Sequence, residues 1–274
     1  MREVVNYAVF GVYPYLCLTV FVIGSWIRFD REQYTWRSGS SQLLRRRLLV
    51  SGSILFHVGV LTVLAGHFVG MLTPIWIFEA IGISHGFKQM MAIVVGGVAG
   101  IACLVGISLL TYRRLFDTRI RRTSSFGDIA ILLLLFAQLL LGLATIPVSL
   151  GHLDGTEMVK FMGWAQGVLV FTPGAASLVA SVDAVFKIHL ALGMTLFLVA
   201  PFTRLVHIWS APVWYLGRRG YQIVRTTRTV PQAAHTTSTL APVAAPARKL
   251  KSIPVFTAPA PVGGRRPILN EGEE

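Results

Sequence analysis

Apolar and polar positions fall in long blocks along this chain rather than in short periods. Five blocks, at roughly 4–27, 48–73, 89–112, 128–150 and 184–209, are long enough to cross a bilayer, which takes about 20 apolar residues. Lipid offers the backbone no hydrogen-bond partners, so each block is predicted to be a helix. Arginine is shared unevenly among the polar segments. Arg28, Arg31, Arg37, Arg45, Arg46 and Arg47 lie between the first two blocks, and Arg113, Arg114, Arg119, Arg121 and Arg122 between the third and fourth. Arg218, Arg219, Arg225 and Arg228 follow the fifth, whereas the opposite side holds only Arg2, Lys88, Lys160 and Lys187. The positive-inside rule then places the N-terminus outside and the C-terminus in the cytoplasm. The predicted fold class is all-α, an integral membrane bundle of five transmembrane helices.

The remaining segments complete the outline. The outside connection 151–183 is long, and its middle, 158–171, mixes Met, Phe, Trp and Val with a few polar groups. That pattern suits either a helix lying along the interface or a packed re-entrant loop. The five helices form one membrane domain, 1–225. From 226 to 274 the chain turns rich in Ala, Pro and Thr, as in Thr239-Leu240-Ala241-Pro242 and Ala258-Pro259-Ala260-Pro261. This tail has no apolar face to bury and is predicted to be disordered and cytoplasmic. The first block exceeds a typical signal-peptide core, and no small-residue cleavage site follows it, so it reads as a retained helix.

Composition supports a multi-pass integral membrane protein. Of 274 residues 54% are hydrophobic and 14% charged, against about a quarter charged in soluble domains, and the mean hydropathy is +0.64. A net charge of +13 would suggest nucleic acid in a soluble protein. Here the basic residues cluster between apolar blocks, so topology explains them and no nucleic-acid partner is expected. Cys17 and Cys103 both fall inside apolar blocks, with no CxxC, CxxCH or zinc spacing. A disulfide framework and covalently attached c-type haem are therefore not expected.

Four histidines inside two blocks carry the candidate chemistry: His57 and His67 in the second, His189 and His207 in the fifth. An ionisable or metal-binding side chain is costly in the membrane and marks function by default. The second block runs inside to outside and the fifth runs back. His67 and His189 are then at matching depth near the outer face, and His57 and His207 near the cytoplasmic face. Two depth-matched pairs suit two b-type haems, each held by one histidine from each helix. In continuous α-helix, His189 and His207 would lie five turns and about 27 Å apart on one face. His57 and His67 would be about 15 Å apart and rotated by about 80°. The separations do not match, and tilt, oblique groups or a kink at Pro201 must absorb the difference. Small residues (Ser53, Gly66, Gly70, Gly193) neighbour these histidines, leaving room for a macrocycle or merely for helix packing.

Other polar groups near the membrane are open to two readings. Lys88 lies close in depth to His67, as a hydrogen-bond donor to a quinone oxygen or as a lysine snorkelling to headgroups. His85 shares that ambiguity. Arg204, one turn before His207, and Arg113 and Arg114 at the cytoplasmic end of the third block suit haem propionates. Arg113 and Arg114 serve equally as topology signals.

Several runs resemble the gamma subunit of bacterial respiratory nitrate reductase. They are Tyr34-Thr35-Trp36-Arg37, Gly66-His67-Phe68-Val69-Gly70-Met71-Leu72-Thr73-Pro74, Asp154-Gly155-Thr156-Glu157-Met158, Leu192-Gly193-Met194-Thr195-Leu196-Phe197-Leu198 and His207-Ile208-Trp209-Ser210. The likeness spans about 13–228. It implies a membrane cytochrome b with two haem b groups, partnered by an iron–sulfur (beta) subunit and a molybdenum-containing catalytic (alpha) subunit. It implies quinol oxidation near the outer face, with electrons passing inward to nitrate in anaerobic respiration or assimilation. The family's distal-haem ligands fall on His67 and His189, its proximal ligands on His57 and His207, its quinol-site lysine on Lys88 and its proximal-haem arginine on Arg114. The loop 82–87 departs from the family's pattern. Two other readings compete. One is a di-haem subunit of a sulfite- or heterodisulfide-linked reductase; the other is a haem-free anchor or transporter using histidines as polar bridges.

Overall fold

A computed structural model describes residues 1–36, 41 and 46–210, with only the backbone of Arg47. The predicted disordered tail 226–274, His235, and Arg37, Arg45, Arg218, Arg219, Arg225 and Arg228 lie outside the described residues. Among the described residues the chain is wholly helical, without strands. Five helical stretches are long and apolar enough to span a membrane: Arg2–Arg31, Leu48–Leu72, His85–Phe116, Phe126–Leu150 and Ala184–Phe202. In their most apolar windows only 6% to 28% of residues are buried, so the bundle turns most of its apolar surface outward. That distribution fits a molecule solvated by lipid.

The first stretch comprises α1 (Arg2–Tyr7), a π-helical turn (Ala8–Val12) and α2 (Tyr13–Arg31). Pro14 has no N–H to offer the carbonyl of Phe10 four residues back. The indole of Trp164 donates to that carbonyl instead, at 2.9 Å. The second stretch is α3 (Arg47–Leu72), followed by the short α4 (Ile75–Ala80). A turn with Gly82 at φ 74° leads into α5 (His85–Phe116). After α6 (Thr118–Arg122), α7 (Phe126–Leu150) opens with a capping box between Ser125 and Asp128.

α3 and α5 form the tightest helix pair, because glycines let their backbones touch. A Cβ added at Gly59 would sit 2.6 Å from the carbonyl oxygen of Ala99, and one at Gly106 would sit 2.8 Å from that of Gly52. Small residues at a crossing replace hydrophobic driving force, which lipid does not supply between helices.

The connection 151–183 folds as α8 (Thr156–Leu169) and α9 (Ala175–Leu178). α8 buries Met162, Trp164, Gly167 and Val168. The segment 158–171 is helical to Leu169, as the first reading expected, and packed, as the second did. The Gln166 amide donates to the carbonyls of Met71 and Thr73, both at 3.0 Å, closing the end of α3. Phe10, Trp164, Val168, Ala176, Val179, Val182 and Phe186 make one buried cluster there.

The fifth stretch departs from expectation. α10 (Ala184–Val199) ends before Pro201 and continues as 3-10 turns at Ala200–Phe202 and Arg204–Ser210. Thr203 between them is extended, with φ −122° and ψ −176°. Pro201 therefore stops the α-helix rather than kinking it, and the five-turn, one-face relation predicted between His189 and His207 does not hold. Arg28 on α2 stabilises the break, donating to the carbonyls of Pro201 at 2.6 Å and Thr203 at 2.8 Å. Its place in the topology signal does not exhaust its role.

Candidate functional site

His57 and His67 lie on α3, His189 on α10, and His207 on the terminal 3-10 turn. Nδ1 of His57 meets the carbonyl of Ser53 at 2.7 Å, and Nδ1 of His67 meets that of Val63 at 2.8 Å. Nδ1 of His207 meets the carbonyl of Arg204. A carbonyl only accepts, so Nδ1 carries the proton in each, and Nε2 keeps its lone pair. This is how a metal-binding imidazole is held by its other nitrogen. His152 makes the same kind of bond to Val148 at 3.1 Å, so the bond alone does not mark a ligand.

The structure brings one pair together. The rings of His67 and His189 lie 6.3 Å apart between centroids, tilted by 46°. Two imidazoles bound at about 2 Å on opposite sides of one metal ion would have ring centres about 6 Å apart. The observed centre-to-centre separation is close to that figure. A Cβ at Gly66 or Gly70, on either side of His67, would meet nothing within 4 Å. Nδ1 of His189 is buried without a partner. Donor set, separation and open helix surface fit a planar macrocycle between the two rings. His57 and His207 make no ring contact with each other among the described residues. Nor is there, among those residues, a group of three or more His, Cys, Asp or Glu able to hold a metal ion.

The fourth span contributes residues that sequence reasoning missed. The Gln138 amide donates to the carbonyl of His189 at 3.1 Å and lies 3.5 Å from its Nε2. Gly142, one turn on, makes room for the same ring: a Cβ there would be 3.0 Å from Cε1 of His189. Gly193, expected to leave space for a macrocycle, leaves it for Gln138, which a Cβ would approach to 3.2 Å. The signal available in the sequence was a lone glutamine inside an apolar run.

The arginines converge on an acid that had been read only as the start of a span. Asp128 takes Nε and a terminal nitrogen of Arg204, both at 2.8 Å, and Arg114 at 3.4 Å. Arg114 also donates to Ser124 at 3.0 Å. Arg113 turns to Ser41, donating to its hydroxyl at 2.7 Å and its carbonyl at 3.0 Å. Asp128 thereby fastens α7 to α5 and to the turn whose Arg204 carbonyl orients His207.

Lys88 does not snorkel. It is 8% exposed, with its ammonium 4.1 Å from the centre of the Phe78 ring and 3.6 Å from the Met162 sulfur. A π-face and a thioether attract a cation weakly compared with a carboxylate. The ammonium therefore retains strong donor capacity inside the fold. His85 lies one turn earlier, its Nε2 4.0 Å from Glu79.

Comparison with known proteins places the chain in a family. The model of the nitrate reductase gamma subunit family matches residues 6–227. The chain is 52% identical over 223 residues to the respiratory nitrate reductase 1 gamma chain of Escherichia coli (strain K12), covering 81% of this chain and 98% of the relative. Identity to the respiratory nitrate reductase 2 gamma chain of the same organism is 50% over 228 residues, covering 83% and 100%. With the nitrate reductase gamma chain of Bacillus subtilis (strain 168) it is 42% over 215 residues, covering 78% and 96%. Two of these names specify respiration and none assimilation. The chain belongs to the nitrate reductase gamma subunit family.

Proposed function

We propose that this chain is the quinol-oxidising membrane subunit of a respiratory nitrate reductase and binds two haem b groups. The observation that carries the reading is the His67–His189 pair, with ring centres 6.3 Å apart across two spans. His67 and His189 hold the outer group, and His57 and His207 the inner one. When bound, the haems supply reversible one-electron chemistry at two depths. The protein supplies the rest. Carbonyls of Ser53, Val63 and Arg204 fix three of the imidazoles. Gln138 holds the fourth by its backbone.

Lys88 binds the quinol oxygen and offsets the negative charge that builds there as the hydroxyl loses its proton. Arg114 and Arg204, gathered on Asp128, have guanidinium edges to share with the inner group's propionates. The arginine distribution supports an outside N-terminus and a cytoplasmic C-terminus in a bacterial inner membrane. Quinol protons are then released outside while electrons move inward to an iron–sulfur subunit and a molybdenum-containing catalytic subunit. Nitrate chemistry belongs to that catalytic partner. By sequence pattern, residues 1–225 are assigned to the membrane domain and 226–274 to an Ala/Pro/Thr-rich tail.

A reduced-minus-oxidised spectrum of the purified complex tests the reading, together with quinol:nitrate turnover. Two b-type components and turnover are expected. One component or none would reject the four-histidine assignment.

A further inference from the structure

We propose that His85, backed by Glu79, is the base that takes the proton from the quinol hydroxyl beside Lys88. The inference rests on the quinol-oxidation reading above and names the proton path within that site. One tight turn assembles the groups. It runs from α4 through Gly82, φ 74°, into the first turn of α5. It lays Phe78 under the Lys88 ammonium at 4.1 Å and sets Glu79, the next residue, 4.0 Å from Nε2 of His85. His85 and Lys88 are three apart on α5 and so neighbour each other on its surface.

The imidazole has an inner and an outer end. Nδ1 is buried and has no hydrogen-bond partner. Nε2 points toward Glu79, whose side chain is 62% exposed. A covered nitrogen without a partner, and a second nitrogen near an exposed carboxylate, are what a proton needs to leave a buried site. Other ionisable groups nearby are engaged locally. The 151–155 loop packs on His85, where a Cβ at Gly155 would be 2.7 Å from the His85 carbonyl oxygen. On that loop Asp154 accepts from Thr156 at 3.1 Å, and Nδ1 of His152 meets the carbonyl of Val148. Glu157 pairs with Lys160 at 2.7 Å. Glu79 is the carboxylate within reach of the ring.

The step is an acid–base transfer. The quinol O–H bond breaks and an N–H bond forms at Nδ1 of His85. The bonding pair stays on the oxygen, where the Lys88 ammonium offsets the charge. The Nε2 proton passes through one water to Glu79, since 4.0 Å exceeds a direct hydrogen bond. Nothing is oxidised or reduced in this transfer.

The test is stopped-flow reduction of the purified complex by a quinol analogue, across pH, for the parent protein and for His85→Gln, His85→Ala, Glu79→Gln and Lys88→Ala. The parent rate should fall in acid as the base fills. His85→Gln should lower the rate on the order of 10²-fold and abolish that acid limb, as removal of a general base does. Added imidazole should restore rate to His85→Ala but not to Lys88→Ala. Glu79→Gln should give a smaller loss with the acid limb displaced. Both optical components should persist in every variant. A slow Lys88→Ala beside a His85→Gln of parental rate and pH profile would overturn the relay and leave the quinol site standing. So would a slow His85→Ala that imidazole does not rescue. A parent complex that quinol does not reduce would overturn both.

Discussion

A histidine in a helix is ready to bind metal when its Nδ1 proton has an acceptor, because the lone pair is then confined to Nε2. His57, His67 and His207 meet this condition through carbonyls three or four residues back. His189 is oriented by Gln138 and by the space at Gly142. We expect His67→Ala and His189→Ala each to remove the same b-type component in a redox titration. His57→Ala and His207→Ala should each remove the other. Loss of one component by both His57 and His189 variants would refute the pairing. Lys88→Ala should slow haem reduction by quinol on the order of 10²-fold, as loss of a donor at a developing negative charge does. Both components should remain bound. Lys88→Arg should recover only part of the rate, because a planar fork aims its donors differently from an ammonium. A normal stopped-flow rate in Lys88→Ala would move the quinol site elsewhere.

Helices are joined here by a few directional contacts, since lipid does little to press apolar surfaces together. Asp128, at the start of α7, ties α5 through Arg114 and the 3-10 turn through Arg204. Asp128→Asn keeps the size but removes the charge, and should cost about 1.5–3 kcal/mol as a lost charge-assisted bond. Because Arg204 also supplies the carbonyl that orients His207, the inner component should shift in midpoint potential while the outer one does not. Asp128→Glu should restore part of the shift. At the α3–α5 crossing, Gly106→Val would press a side chain into the backbone at Gly52 and Phe56. Such overpacking typically costs about 1–3 kcal/mol. The expected result is a lower Tm and a reduced yield of intact complex, read by thermal unfolding in detergent.

Along the chain, apolar spans alternate with arginine-bearing segments. On the orientation proposed from the arginine asymmetry, the α5–α6 end is cytoplasmic and the α8–α9 end external. Proton release during turnover should therefore appear outside right-side-out vesicles, where a pH-sensitive dye would detect it; acidification of the lumen side in inside-out vesicles is the matching result. The segment after about Arg228 follows the last proposed ligand and has a composition that cannot build a core. Truncation there should leave both optical components and quinol:nitrate turnover intact. Loss of either component would show that the tail contributes to the membrane domain.

The number of spans was legible from apolar block length alone, because the bilayer forces about 20 residues per crossing whatever the packing. The four histidines stood out because polar side chains are rare in apolar runs, and chain direction is the ground on which their pairing by depth is proposed. Their partners did not stand out. Asp128 looked like the edge of a span until folding placed two arginines on it, and Gln138 gained a role only when α10 packed beside α7. Pro201 announced a disruption, but its form depended on Arg28 from a distant span reaching the freed carbonyls. The choice for Lys88 between headgroup and interior rested on α4 and α8 closing over it. Local pattern determines which segments cross the membrane and which side chains are costly there. Only tertiary contact decides where those side chains find partners, because the partners lie tens of residues away in sequence.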